Sequence, residues 1–328
     1  MSDRVSDDWN SNLDWCHDAV QRVSRTFALT VAELDEPLTD YICVGYLLCR
    51  IPDTIEDATH IPPAAERELL TTYGTALEPS TDVTIEDFLS EVDRWIPADP
   101  NDDWQVVAET PRVAGVFRGF DDDVRAAMLP PIMEMIDGMA TFIDRYEDEG
   151  GLRIQSFEEL EEYCWYVAGT VGDLITELLV PVSTDEQEQT MRNTARDFAL
   201  LLQLVNIAKD IRPDYREENN VYVPRALLDD HGLGPSDIDD PDQADSFVPI
   251  VRRVSAHAEQ YVDGAQQWIE AMPRGRGATQ SSFAVPFLLA VATLRELKAR
   301  PQDVIAEGGV KVEAEPRLAA ALAPLVGR

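Results

Sequence analysis

Lysine is nearly missing from this 328-residue chain: Lys209, Lys298 and Lys311 are the only ones among 27 basic residues. Against them stand 62 aspartates and glutamates, giving a formal net charge of −35. A surface so short of cations offers no footing for nucleic acid or an anionic membrane face, both of which need basic patches. Acidic excess with almost no lysine is the composition of a protein kept soluble in concentrated salt, where self-repulsion is screened. A high-salt, halophile-type cytosol is the expected setting. Cysteine is scarce as well. Cys16, Cys43, Cys49 and Cys164 form no C-x-x-C pair and sit mostly in apolar runs, as buried free thiols of a reducing compartment do. His17, His60, His231 and His257 are scattered, so no metal or catalytic role falls to them. The N-terminus has neither a basic n-region nor an apolar h-region, so no secretory leader is expected. The longest strongly apolar stretch, Phe283 to Leu294, contains Pro286 and is too short to span a bilayer. The expectation is a cytoplasmic protein without a transmembrane segment, touching a membrane only transiently.

What is present in quantity is helical patterning. The chain is 45% hydrophobic, enough for a substantial core without disulfide or metal staples. Apolar residues recur at three- and four-residue spacing over 15–34, 38–51, 64–77, 125–147, 157–179, 185–210, 247–272 and 280–300. Ser156 before Phe157, and Ser183-Thr184 before Asp185, read as helix starts. Valine–isoleucine alternation between hairpin turns is nearly absent. The sequence therefore predicts an all-α protein, one domain over residues 1–328, with polar loops over 96–112 and 229–246.

Two acidic clusters carry the chemistry. In Asp53-Thr54-Ile55-Glu56-Asp57 three carboxylates lie at relative positions 0, 3 and 4, on one helical face. Asp210 and Asp214 lie four apart. Facing each other, two such clusters would hold Mg²⁺ by one or two carboxylates each and leave positions for diphosphate oxygens and water. Spacing alone does not single them out in so acidic a chain: Asp3/Asp7, Asp14/Asp18, Asp99/Asp103 and Asp144/Asp148 match equally well and read as solvated surface. Context does. The apolar runs Tyr41–Ile51 and Phe198–Ile207 lead directly into the two chosen clusters, as helices delivering carboxylates to a cavity floor would.

Four ordered blocks give the chain a resemblance over nearly its whole length. They are Ser24-Arg25-Thr26-Phe27; Tyr46 through Asp57; Tyr163 through Gly172; and Gln203 through Asp214, followed by Tyr222-Val223-Pro224. Together they resemble the squalene and phytoene synthase family of head-to-head prenyltransferases. The resemblance implies a single-domain, isoprenoid synthase helical bundle around a central cavity. It implies that two prenyl diphosphates are joined through their first carbons to a cyclopropyl diphosphate. That intermediate is then reduced by NADPH in the squalene branch, or loses a proton in the phytoene branch.

Carried over residue by residue, the resemblance makes Asp53, Glu56, Asp57, Asp210 and Asp214 the Mg²⁺ ligands. Arg25 and Arg50 become phosphate contacts, and Tyr163 the tyrosine that assists ionisation or stabilises the cation. Ser24, Phe27, Tyr46, Gln203, Asn206 and Lys209 become substrate-binding positions. Phe27, Tyr46 and Tyr166 would shield carbocations with their π faces or belong to plain core. Gly169 and Gly172, costly within a helix, imply a close approach there. The Asp-Thr-Ile-Glu-Asp motif, Pro286 within its apolar helix and Gly309-Val310-Lys311-Val312 resemble the squalene branch; Asn220-Val221-Tyr222-Val223-Pro224 resembles the phytoene branch. The expected substrates are two farnesyl diphosphates, with geranylgeranyl diphosphate the alternative. A catalytically silent, prenyl-diphosphate-binding partner is the alternative of another class. Arg212-Pro213 departs from the family pattern, and Pro213 is expected to end the helix and shift Asp214.

Overall fold

The computed structural model describes residues 2–32, 34–273 and 279–310, and among these the chain is a bundle of helices with no strand. The first half holds α1 (Ser2–Val23), α2 (Arg25–Ala32), α3 (Leu38–Glu56), α4 (Pro63–Leu77) and α5 (Ile85–Val92). It continues with α6 (Asp102–Ala108), α7 (Thr110–Arg118) and α8 (Asp122–Arg145). The second half holds α9 (Phe157–Cys164), α10 (Thr170–Leu179), α11 (Asp185–Glu218) and α12 (Arg225–Asp230). It ends with α13 (Ala244–Glu259), α14 (Val262–Ala271), α15 (Thr279–Ala299) and α16 (Asp303–Ala306).

The 34-residue α11 is the spine, with α10, α13, α14 and α15 packed around it, while α3 runs against α1, α7, α8 and α10. The buried apolar side chains form one connected cluster that includes all four cysteines. α8 is long and apolar enough to cross a membrane by length and composition; here it packs on α4 and α10, and half of it is buried in the bundle.

Several boundaries differ from the sequence reading, each for a local reason. The stretch 15–34 is two helices, because Ser24 leaves helical geometry and its hydroxyl accepts from the Phe27 N–H, starting α2. The expected loop over 96–112 is overturned. Asn101 caps α6 through Trp104 N–H, and Trp104, Val106 and Val107 are buried, so this Asp- and Pro-rich stretch carries a short amphipathic helix. Between α9 and α10 the backbone widens into a π-helical turn over Trp165–Gly169. Gly169 meets the Trp165 ring there, at 2.3 Å from where a Cβ would stand, and Gly138 of α8 meets the Tyr166 ring at 2.1 Å. The stretch 247–272 breaks near Gln260 into α13 and α14.

The most consequential difference lies in α11. Pro213 does not end the helix. Proline has no N–H to give the Lys209 carbonyl, and its ring crowds that carbonyl, so the helix kinks instead. The distortion falls at Asp210 (φ −110°, ψ 17°), and the helix then continues to Glu218. Arg212 is buried and points away from the carboxylates, donating to the carbonyls of Ala306 (3.4 Å), Ile305 and Asp239 (3.2 Å), so it ties α16 to α11.

Candidate active site

The first cluster is where α3 stops. Leu47, Leu48 and Ile51 are fully buried and lock the helix, leaving Asp53, Glu56 and Asp57 half-buried at its end. Arg50 donates to Asp53 and, through Nε, to Asp103 Oδ1 at 2.9 Å. Asp103, read from sequence as solvated surface, is thus a half-buried member of this site, placed there by the unforeseen α6. Burial raises the Asp53 carboxyl, with Arg50 opposing. Glu56 and Asp57 are pushed well above the carboxylate range, chiefly by burial and then by Asp53 and other neighbouring carboxylates.

The second cluster follows the kink. Lys209 pairs with Asp210, so it is not a lone surface cation. Asp214 is pushed up to about 8 by burial and by Glu218 and Asp210, with Lys209 opposing. Glu218, one turn beyond Asp214, is raised by burial and by the field of Asp53, while Asn220 donates to it. The first cluster thus meets the end of α11 through Glu218: Glu56, Asp57 and Glu218 share the wall of one polar cavity of about 470 Å³, and Tyr222 lies in the field of these three and of Asp214. Tyr163 of α9 closes the gap on one side: its hydroxyl donates to Glu56 Oε1 at 3.2 Å and sits 3.2 Å from the Tyr222 hydroxyl.

One helical turn back along α3 from Arg50 lies Tyr46, and one turn back along α11 from Asp210 lies Asn206. Both line an apolar cavity of about 310 Å³, together with Ser24, Phe27 and Gln203. Phe27 and Tyr46 stack at 4.3 Å within it. Gly172 brings α10 against α11, where a Cβ would stand 3.1 Å from the Ala195 carbonyl. Tyr166 is not on this wall and packs against Phe142 and Gly138, a core position.

Of the residues singled out in the sequence, Asp53, Glu56, Asp57, Asp210, Asp214, Arg50 and Tyr163 thus gather at the polar end. Ser24, Phe27, Tyr46, Gln203 and Asn206 gather in the apolar cavity. The Arg25 side chain and Lys311 lie outside the described residues. Asp103, Glu218, Asn220 and Tyr222 complete the polar end and were not singled out as ligands. The signal for Glu218 was the repeated four-residue step Asp210–Asp214–Glu218, and Tyr222 stood in the Tyr-Val-Pro segment without a role. As a donor set these carboxylates fit Mg²⁺, a hard cation held by oxygen. Among the described residues no three acidic, histidine or cysteine side chains close on a single ion. The fit is therefore to ions shared with a bound diphosphate, each taking one or two carboxylates.

An all-helical bundle with paired carboxylate helices set beside an apolar cavity has the architecture of the all-α isoprenoid synthases. The model of the squalene/phytoene synthase family matches residues 20–316, and the chain belongs to that family. It is 25% identical over 297 residues to the squalene synthase of Schizosaccharomyces pombe, covering 88% of this chain and 60% of that protein. It is 26% identical over 251 residues to the presqualene diphosphate synthase of Botryococcus braunii, covering 76% of this chain and 58% of that protein. The chain thus spans about three-fifths of these relatives. A ligand complex of TcSQS superposes with a TM-score of 0.78 at 24% identity, covering 94% of this chain and 84% of that one. A dehydrosqualene synthase gives 0.62 at 17% identity, covering 98% of each chain.

Proposed function

We propose that the chain is a squalene synthase: a Mg²⁺-dependent prenyltransferase that joins two farnesyl diphosphates head to head and, with NADPH, reduces the product to squalene. The observation that carries this reading is the meeting of both acidic clusters one turn beyond an apolar cavity. That arrangement suits a substrate with a charged head and a long hydrocarbon tail.

Bound Mg²⁺ would neutralise charge on the departing diphosphate, with Asp53, Glu56 and Asp57 holding it at one substrate and Asp210 and Asp214 at the other. Arg50, spanning Asp53 and Asp103, holds the first cluster in place and presents a guanidinium towards phosphate oxygens. The Tyr163 hydroxyl is placed to give a hydrogen bond or proton as charge leaves. The stacked Phe27 and Tyr46 offer π faces to a carbocation and keep water from it. A cavity of 310 Å³ is near the small end of ligand sites, roughly 300–1,000 Å³.

The test is product analysis in high salt with purified protein and Mg²⁺. Squalene from farnesyl diphosphate, only with NADPH, supports the reading. Consumption of geranylgeranyl diphosphate alone, indifferent to NADPH, establishes the phytoene alternative, which the Tyr222-Val223-Pro224 segment favours. Binding without turnover of either substrate establishes a silent prenyl-diphosphate-binding partner. A high-salt cytosol is the setting proposed for it, from its charge of −35.

A further inference from the structure

Just past the second cluster, the chain leaves α11 through Asn219 in left-handed geometry (φ 57°) and is clasped at once by the loop before α9. Asn219 Nδ2 donates to the Gly150 carbonyl at 2.6 Å, and Val221 N–H donates to Leu152 O at 2.9 Å. Gly151 passes so near that a Cβ there would stand 2.3 Å from the Asn219 carbonyl oxygen. This clasp buries Asn220 and Tyr222 (each 7% exposed) against Tyr163 (2% exposed).

With Glu56 ionised, as a carboxylate holding a cation is, the polar atoms buried there allow one arrangement of protons. Leu152 N–H donates to Asn220 Oδ1 at 2.8 Å, which fixes the amide's orientation. Asn220 Nδ2, having only protons to give, donates to Glu218 Oε2 at 3.3 Å and to the Tyr222 oxygen at 3.1 Å. Tyr163 gives its proton to Glu56, so across the 3.2 Å between the two phenols Tyr222 is the donor. The rings stack at 5.1 Å, which holds the hydroxyls in line. The result is a one-way chain from Asn220 through Tyr222 and Tyr163 to Glu56, with a side branch to Glu218. It begins beside the second carboxylate helix and ends on the first.

We propose that Asn220 and Tyr222 are positioning residues that hold the Tyr163 proton on the first carboxylate cluster and fix Glu218 in register with it. The two diphosphate sites are thereby coupled through protein hydrogen bonds. Each hydroxyl in a chain of this kind is polarised by the one before it, so Tyr163 is a stronger donor with Tyr222 behind it than alone. Asn220 and Tyr222 entered the family resemblance only as members of the segment that ends in Tyr-x-Pro, with no role given to either.

This inference rests on the function proposed for the same site, and its test separates the two. Tyr222→Phe keeps the ring on Tyr163 and removes one hydroxyl. It is expected to lower kcat about tenfold, the scale of one lost buried hydrogen bond, with KM within about twofold and the melting temperature unchanged. In a Tyr163→Phe background the same substitution is expected to cost nothing further, because the chain is already cut. Asn220→Asp keeps the acceptor for Leu152 N–H, loses both donors, and gives a second route to the same cycle. Calorimetric titration of Mg²⁺ with inorganic pyrophosphate is expected to show several-fold weaker binding in Tyr222→Phe. An active wild type matched by Tyr222→Phe in kcat and in pyrophosphate binding overturns the chain alone, as do losses that simply add in the double variant. A wild type that turns over neither farnesyl nor geranylgeranyl diphosphate overturns the functional reading, and the inference with it.

Discussion

The two carboxylate clusters do the same kind of work on different backbones. The first is made by ending a helix: three carboxylates crowd into the last turn of α3, braced by Arg50 and touched by Tyr163. The second is made by bending one: Asp210 sits at the distortion in α11, and Asp214 and Glu218 follow at four-residue steps along the redirected segment. A terminus packs charge densely, whereas a kink spreads charge along two turns and aims it. The first cluster should therefore depend on its side chains and the second on the path of its backbone.

The sharpest way to break the comparison is to remove charge from the first cluster. Asp53→Asn with Asp57→Asn is expected to cost roughly a thousandfold or more in turnover, from lost neutralisation of the leaving diphosphate. The helical circular dichroism should be unchanged and the metal-free protein no less stable, since two crowded carboxylates are gone. Retained turnover would refute the metal assignment. For the second cluster the corresponding lesion is in the backbone. Pro213→Ala restores the N–H that the Lys209 carbonyl lacks and straightens α11. It should raise the melting temperature while lowering kcat about tenfold, a split seen only if the bend itself is functional. Glu218→Gln is expected to raise the Mg²⁺ needed for half-maximal rate about tenfold, as loss of an outer partner of a metal site does, with a smaller effect on kcat.

The smallest effect on turnover is expected at Glu66, a carboxyl buried in the wall of the polar cavity and pushed up to about 8 by burial, with Arg67 opposing. In the unfolded chain it ionises near its ordinary value of 4.5; in the fold it stays neutral until about 8. The folded state binds more protons between those values, so stability is full below about 4.5, falls as pH rises, and levels above about 8. Glu66→Gln should therefore match wild type at pH 4, exceed it increasingly up to about pH 8, and keep that margin at pH 9. Denaturant melts across that range would show the gap, and a gap that narrows with rising pH would refute the burial argument.

Much of this site was legible in the sequence because its residues announce themselves locally. Asp53, Glu56 and Asp57 lie within one turn, after an apolar run whose period is unmistakable. Gln203 and Asn206 share a face with Asp210. What escaped depended on contacts distant in sequence. Asp103 joins Arg50 only because the seven-residue α6, which follows an Asp- and Pro-rich stretch, lays it against α3. Asn220 and Tyr222 matter because a glycine loop some seventy residues earlier in the chain folds over them. Pro213 was read correctly as a disturbance but in the wrong form. A proline removes one hydrogen bond, and a long helix anchored on both sides absorbs that loss by bending, whereas a short one would stop. Arg212, out of place in an acidic motif, is explained by three carbonyls that no local pattern reveals.

The wide turn over Trp165–Gly169 sets a limit on length as well as on composition. A π turn holds one residue more than the α turn it replaces, and each residue rotates a helix by about 100°. Tyr163, before it, faces the carboxylates, while Val167, Ala168, Val171 and Gly172, within and after it, face the apolar cavity. A single deletion between 165 and 169 would restore an ordinary turn and swing Val171 and Gly172 off the cavity wall with every side chain chemically intact. Substitutions in this segment act one residue at a time, but a change in its count severs the alignment between the end of the molecule that handles charge and the end that handles hydrocarbon.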